Sequence, residues 1–485
     1  MERQDERTMT PSKPGKNQVF FGTFIHARNL GELEYLPNAA VCVDGSGTIV
    51  AIQTNCKQQK TVETLYAGLG WGLDDVAITV ARDRQFFFPG FIDTHVHASQ
   101  YPNTGVFGKS TLLDWLNTYT FPMEASLSSL PKARRVYTRC IRRMLANGTT
   151  TAAYYATIDV NATNLLADLC YSMGQRAFVG RVCMDHLGPD YYIDESPDHA
   201  LAATRATIEH IRSIDSNFEL VSPILTPRFA PACSAEMMRG LSELQKQTRL
   251  PMQTHISENA NEVELVKELF PNSKSYADVY DTHGILNDKM VLAHAIHLTE
   301  EEADLIAERK AKVAHCPCSN SALTSGVARV RWLLGKGIQV GLGTDMSGGY
   351  SPSILEAARQ AKLVSNHLTV PGGRLDGSSQ QGERDGAKLS VEEVLYLATT
   401  GGAQVLGLAD KVGVFEVGKQ WDAQLIDLGT VPDEVAEDDQ AIHGNVDVFG
   451  WETWDERVAK WVFNGDDRNT KKVWVQGRLV HVQTY

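Results

Sequence analysis

No uninterrupted apolar run of about twenty residues, the length a membrane-spanning helix needs, occurs in the chain, and no membrane partner is expected. Residues 1–16 also lack the apolar core of a secretory signal; polar and broken by Pro11 and Pro14, they read as part of a mobile tail, 1–17. Positive charge is in short supply, with a net charge of −13. Duplex nucleic acid is therefore excluded as a partner, because that affinity comes largely from Lys and Arg neutralising phosphates. The one basic cluster, Arg134, Arg135, Arg139, Arg142 and Arg143, fits the wet face of an amphipathic helix. The cysteines show no paired CxxC spacing of a structural zinc site, and without a leader all eight are expected as reduced thiols in the cytoplasm. Cys316-Pro317-Cys318 reads as a strand end turned by its proline. There is no internal repeat, no heptad, no GxSxG elbow and no papain-like cysteine signature, so no covalent intermediate is required.

The 485 residues exceed one ordinary compact core and leave room for a large barrel plus an accessory domain. Strand patterns cover 19–25, 40–43 and 49–52, the last two joined as a hairpin around Asp44-Gly45-Ser46-Gly47. After Phe86-Phe87-Phe88-Pro89-Gly90, short apolar strands alternate with amphipathic helices such as 262–269 and 300–309, which implies a parallel sheet. Eight strands fall near 91–95, 149–155, 176–183, 220–226, 251–255, 290–294, 313–316 and 339–344, the number a (β/α)8 barrel uses. The stretch 371–388, rich in Gly, Ser, Gln and charge, reads as a mobile surface insertion. Strands return at 424–426 and at 473–480, the latter broken by Gly477. The expected class is α/β: a TIM-type barrel over 88–408, with a small β-sandwich domain built from the N-terminal segment 18–87 and the C-terminal segment 409–485.

The strongest local signal is Asp93-Thr94-His95-Val96-His97 at the end of an apolar run. Histidines at i and i+2 of an extended chain point to one side and can meet one metal ion, although a lone HxH reads equally well as two polar residues on a sheet face. Three further strand ends supply matching groups: His255, His294 and Asp345. A barrel gathers its C-terminal strand ends at one mouth, which brings these distant residues together. The donor set suits Zn²⁺, while Fe²⁺ and Mn²⁺ accept similar ligands. One metal is expected, since the fourth strand ends Leu225-Thr226-Pro227-Arg228 and offers no lysine for a bridge. His95, His97, His255 and Asp345 are the expected ligands, and His294 is assigned to orienting the bound water, although an imidazole there is also able to ligate. Glu258, three residues past His255, suits a proton shuttle; it would also suit the opening turn of a helix containing Glu262 and Glu264.

At these residues the chain resembles the amidohydrolase superfamily from Val19 to Val480. The resemblance rests on the opening run from Pro89 to His97, the strand-end histidines and the closing Gly341-Leu342-Gly343-Thr344-Asp345. Within the superfamily it is similar to the eukaryotic guanine deaminases, through His97-Ala98-Ser99-Gln100-Tyr101, Tyr119-Thr120-Phe121-Pro122, Thr226-Pro227-Arg228-Phe229, His255-Ile256-Ser257-Glu258-Asn259 and His315-Cys316-Pro317. The resemblance implies hydrolysis of guanine to xanthine and ammonia in purine catabolism, with one zinc ion per chain and a homodimer. It places Gln100, Arg228 and Phe229 around the purine, with His97, His255, Glu258 and Asp345 completing the substrate contacts and Arg228 reaching the O6 carbonyl. Without it, Arg228 reads as a surface charge on a loop. A buried guanidinium beside a carbonyl favours guanine, since adenine carries an amino donor there. The resemblance further implies that a zinc-activated hydroxide adds to C2, Asp345 takes its proton, Glu258 protonates N3 and assists loss of ammonia, and His294 steers the nucleophile. Two departures stand out. The accessory-domain motif runs Gly418-Lys419-Gln420-Trp421-Asp422-Ala423, its last two residues reversed from the commonest pattern, and an extra histidine, His297, follows His294. A hydrolase of adenine derivatives, cytosine or triazines would share the metal chemistry, and a scaffold that had lost catalysis would be expected to lack ligands that this chain has.

Overall fold

Phe86, Phe87 and Phe88 are consecutive and all buried, which a strand permits only where both of its faces are covered. Phe87 turns to one side, stacked on Phe24 with ring centroids 4.8 Å apart and 5.8 Å from Trp421. Phe86 and Phe88 turn to the other, 5.3 and 5.2 Å from Trp461 on the helix Trp454–Asn464. Trp461 also stacks on Phe91 at 5.8 Å, so one indole joins this strand to the first of the parallel set.

The computed structural model describes residues 15–56, 64–65, 67–370, 386–431 and 445–483. Most of the expected tail 1–17 and of the insertion 371–388 lies outside the described residues. Five strands come first: β1 (Asn17–His26), β2 (Glu34–Val43), β3 (Ile49–Gln53), β4 (Val76–Val80) and β5 (Gln85–Pro89). The β2–β3 hairpin turns where its sequence indicates: the Asp44 carboxylate accepts from the Ser46 and Thr48 N–H groups at 2.9 and 3.0 Å. Gly47 there has φ +85, and a Cβ on it would meet the Gln476 carbonyl at 2.0 Å, so only glycine lets the two ends of the chain touch.

All eight strands expected in the barrel are present. They are β6 (Phe91–His97), β7 (Thr149–Tyr155), β8 and β9 (Arg176–Gly180, Val182–Cys183), β10 and β11 (Val221–Pro223, Thr226–Pro227), β12 (Met252–Ile256), β13 (Met290–His294), β14 (Lys312–His315) and β15 (Val340–Leu342). Helices stand between them, including Leu130–Ala146, which buries Ala133, Val136, Tyr137 and Cys140 and turns Arg134, Arg135, Arg139 and Arg142 outward as expected. The strands do not form one closed ladder. They make two parallel sheets of four, β10-β8-β7-β6 and β12-β13-β14-β15, and the short parallel pair β11-β9. Pro223 and Pro227 lack the N–H that would continue the ladder past β10 and β11. Backbone bonds still cross both seams: Leu225 N–H to the Pro251 carbonyl and Gln253 N–H to the Leu225 carbonyl, each at 2.9 Å, and at the other seam Asp345 N–H to the His95 carbonyl at 2.8 Å and His97 N–H to the Met346 carbonyl at 3.0 Å.

Beyond the parallel set come β16 (Ala423–Asp427), the small separate pair β17 and β18 (Gly429–Thr430, Asp447–Val448), β19 (Thr470–Val475) and β20 (Arg478–Val482). The two ends of the chain join as expected, but as one eight-stranded sheet, β20-β19-β16-β5-β1-β2-β3 with β4 beside β1, so the pairing does not establish a two-sheet sandwich. Counted from Gly418-Lys419, Asp422 keeps the aspartate place of the motif and Trp421 takes the alanine place, so the order is not reversed, and Asp422 has a structural use. The Asp422 carboxylate is buried 3.2 Å from Arg176 Nε on β8 and accepts from the Gln476 N–H at 2.8 Å, tying the sheet to the parallel set. Asp422→Ala strands a buried guanidinium, and denaturant unfolding is expected to show a loss of about 3–5 kcal/mol.

Candidate active site

His95 and His97 leave β6 on the same side, as their i, i+2 spacing requires. The C-terminal ends of β12, β13 and β15 bring His255, His294 and Asp345 to the same place. Asp345 Oδ1 lies 3.1 Å from His95 Nε2 and 3.3 Å from His97 Nε2, and His255 Nε2 lies 3.3 Å from His97 Nε2. His294 Nε2 is 3.4 Å from Glu258 Oε2 and 3.8 Å from Asp345 Oδ2. Every expected ligand and both expected acid–base groups therefore meet. His294 and Asp345 adopt φ +75 and +46, a left-handed turn that costs a residue with a side chain about 1–3 kcal/mol and that clusters at functional sites. Asp93 clasps this corner: it accepts from the Thr344 N–H at 3.0 Å, the Thr344 hydroxyl at 2.5 Å and the His95 N–H at 3.2 Å.

The donors fit a cation. Among the described residues the hydrogen-bond partner of His255 Nδ1 is the Arg228 carbonyl at 2.5 Å; a carbonyl only accepts, so Nδ1 carries the proton and Nε2 presents its lone pair to the cluster. Among the described residues His294 Nε2 is buried without a hydrogen-bond partner, and His95 Nε2 has the Asp345 carboxylate beside it but no well-aligned hydrogen bond. One donor atom each from His95, His97 and His255 lies within 4.8 Å of the others, and His95, His294 and Cys316 form a second such group. Burial, against the pull of Asp345, holds the His95 imidazole down at about 4. Burial and the neighbouring imidazoles push His255 well below its usual range. Neutral imidazoles with one carboxylate are the ligands a tetrahedral Zn²⁺ takes. Burial raises the Asp345 carboxyl, but His95 and His97 outweigh it and hold the group well below the usual carboxylate range. Burial, with Asp345 and Glu262 close by, drives Glu258 well above that range, so the two carboxyls are pushed in opposite directions.

Arg228 and Gln100 are buried, not surface groups, and both line the cavity beside the cluster with Phe229, Leu112, Trp115 and Leu323. The sequence reading missed the group that organises them. Glu124, on the short helix Phe121–Ala125, accepts from Arg228 Nη1 at 2.7 Å and Nη2 at 3.2 Å, from Gln100 Nε2 at 2.8 Å and from the Tyr192 hydroxyl at 2.7 Å. Burial pushes the Glu124 carboxyl up, but Arg228 more than compensates and keeps it low and ionised. One residue, Met123, separates Glu124 from the Phe121-Pro122 segment that carried part of the resemblance, which was the available signal. Asn320, whose Oδ1 is 2.9 Å from His294 Nδ1, was missed too. His297 turns away, with Nε2 2.8 Å from the Ser325 carbonyl, which leaves His294 as the imidazole at the site.

Residues 86–480 match the model of the Amidohydrolase family. The chain is 47% identical to a probable guanine deaminase of Schizosaccharomyces pombe over 95% of its length and 83% of that protein's. It is 40% identical to the guanine deaminase of Homo sapiens, covering 96% of this chain and 97% of the other. A crystal structure of guanine deaminase from C. acetobutylicum with bound guanine in the active site superposes with a TM-score of 0.82 at 33% identity, over 96% of this chain and 100% of that one. With its strand-end histidines, Asp345 and Glu258 gathered at one mouth, the chain belongs to the amidohydrolase family and, within it, to the guanine deaminases.

Proposed function

We propose that the protein hydrolyses guanine to xanthine and ammonia with one zinc ion per chain, held by His95, His97, His255 and Asp345. The observation that carries this reading is the buried Arg228 and Gln100 lining the same cavity as the histidine cluster, Glu258 and Asp345. A zinc ion at that cluster supplies a water whose pKa falls to about 7, a nucleophile at neutral pH. Arg228 donates to O6 and Gln100 and Phe229 hold the ring, presenting C2 to the water. His294 orients the water and Asp345 takes its first proton as the oxygen bonds to C2. Glu258 gives its proton to N3, then recovers one from the new C2 hydroxyl, while Asp345 returns its proton to the departing amino group. The C2–N bond breaks, ammonia leaves, and both carboxyls regain their starting states.

Run in oxygen-labelled water, the reaction is expected to place the label at C2 of xanthine; unlabelled product would contradict direct hydrolysis. Removing metal with a chelator is expected to abolish turnover and lower the melting temperature, by about 4 kcal/mol of linkage where free metal had stood a thousandfold above its Kd. Re-addition of zinc is expected to restore both.

On this reading the eight strands act as a (β/α)8 barrel over 88–408, served by a β domain of 18–87 and 409–485. The eight free, buried cysteines suit a reducing compartment, and the cytoplasm is the proposed location. No helix of the described residues is long and apolar enough to cross a membrane. A homodimer is part of the proposal, and light scattering of the purified protein tests it.

A further inference from the structure

The Glu124 carboxylate is surrounded by donors alone. Its four hydrogen bonds, two from Arg228, one from Gln100 and one from Tyr192, use about the four lone-pair positions a carboxylate has. It does not line the cavity, whereas Arg228 and Gln100 do. An ionised carboxylate only accepts, so the amide group facing it has to be the NH₂ of Gln100. That assignment fixes the other end. Among the described residues Gln100 Oε1 is buried with no hydrogen-bond partner, on a side chain that lines the cavity. The bonds to Glu124 use two of the five N–H donors of the guanidinium, which leaves donors for the cavity. Phe121, 5.0 Å below Arg228 Cζ, supports the same plane.

We propose that Glu124 is a positioning and specificity-determining residue: it holds Gln100 with its oxygen toward the cavity and Arg228 with N–H groups toward the cavity, so that the pair reads the carbonyl and adjacent N–H of a purine lactam edge. The assignment rests on the deaminase reading above and deepens it. Guanine offers O6 as acceptor and N1–H as donor, the complement of this pair. A purine with a 6-amino group and a bare N1 offers the reverse, and meets donor against donor and acceptor against acceptor. With the carboxylate gone, Gln100 is free to turn its NH₂ inward and Arg228 loses its fork partner, so the discrimination goes with it.

The test compares guanine with 2,6-diaminopurine, which keeps the 2-amino leaving group and exchanges only the lactam edge. Xanthine and isoguanine formation give kcat/KM for each. For Glu124→Gln the preference for guanine is expected to fall about tenfold or more, chiefly through a higher KM for guanine, with zinc content unchanged. A purely structural role would slow both substrates alike and leave their ratio where it was. Should Glu124→Gln fail to fold, Glu124→Asp serves instead: it keeps the charge for Arg228, withdraws the carboxylate from Gln100, and is expected to move the ratio the same way. A folded variant with the wild-type ratio overturns the role of Glu124 alone. No turnover of guanine by the zinc-loaded wild type overturns the deaminase reading and this inference with it.

Discussion

Glu258→Gln lowers kcat on guanine by about 10²- to 10⁴-fold, the usual worth of a positioned general acid and base, while zinc content and melting temperature stay near wild type. The side chain is buried beside His294 and accepts a long hydrogen bond from the Ser325 hydroxyl at 3.4 Å. Glutamine has the same shape and keeps an oxygen for that serine, so packing is preserved. It also carries no charge to bury, and so escapes the burial, with Asp345 and Glu262 close by, that drives the carboxyl upward. What it cannot do is pass a proton to N3 and recover one from the C2 hydroxyl. Stopped-flow or steady-state xanthine formation, with metal analysis of the same sample, separates these effects. Near-wild-type turnover with metal in place would remove Glu258 from the proton path.

Arg228→Ala costs both stability and catalysis, and the two losses have different origins. Truncation leaves the Glu124 carboxylate buried with Gln100 and Tyr192 as its remaining partners. A buried charge stripped of its counter-ion costs about 3–5 kcal/mol, read by denaturant unfolding. The catalytic loss is that of a site built to bond a carbonyl and then deprived of its donor, about 10⁴-fold in kcat/KM for guanine. The double variant Arg228→Ala, Glu124→Ala removes the stranded charge as well. It is expected to recover much of the stability and none of the activity, a non-additivity that marks two residues in contact. Additive stability losses would show that the two side chains do not work as a pair. The backbone carbonyl of residue 228 still accepts from His255 Nδ1 in either variant, so metal binding is expected to survive.

The metal end of this site was legible in the sequence because its residues obey local rules. His95 and His97 share a side through the two-residue period of a strand, and His255, His294 and Asp345 each close an apolar run whose end a parallel barrel delivers to one mouth. Glu258 lies where its spacing allowed, 3.4 Å from His294 Nε2, while the opening-turn position went to Glu262, whose carboxylate accepts from the Glu258 and Asn259 N–H groups at 2.8 and 3.1 Å. The purine end obeys no such rule. Glu124 meets Arg228 across 104 positions and Gln100 across 24, from a helix that follows a five-residue widened turn, Leu116–Thr120. No periodicity or motif links those three, and only the folded chain brings them together. The fold divides in the same way. Strand existence followed from composition and alternation, but the break of the parallel set beside β12 depends on where Pro223 and Pro227 fall in a ladder whose register is tertiary. The joining of both chain ends into one sheet likewise turns on β5, whose two covered faces are explained by partners some 335 residues away, such as Gln424 bonding the Pro89 carbonyl.

The most direct measurement loads one preparation with zinc, counts metal per chain by mass spectrometry, and follows ammonia release from guanine, adenine and cytosine and chloride release from a chlorinated triazine side by side. A zinc-dependent guanine hydrolase gives one equivalent of metal and ammonia from guanine, with the other rings slower by orders of magnitude. Equal or faster turnover of another ring, or guanine turnover that persists in fully metal-free protein, would contradict it.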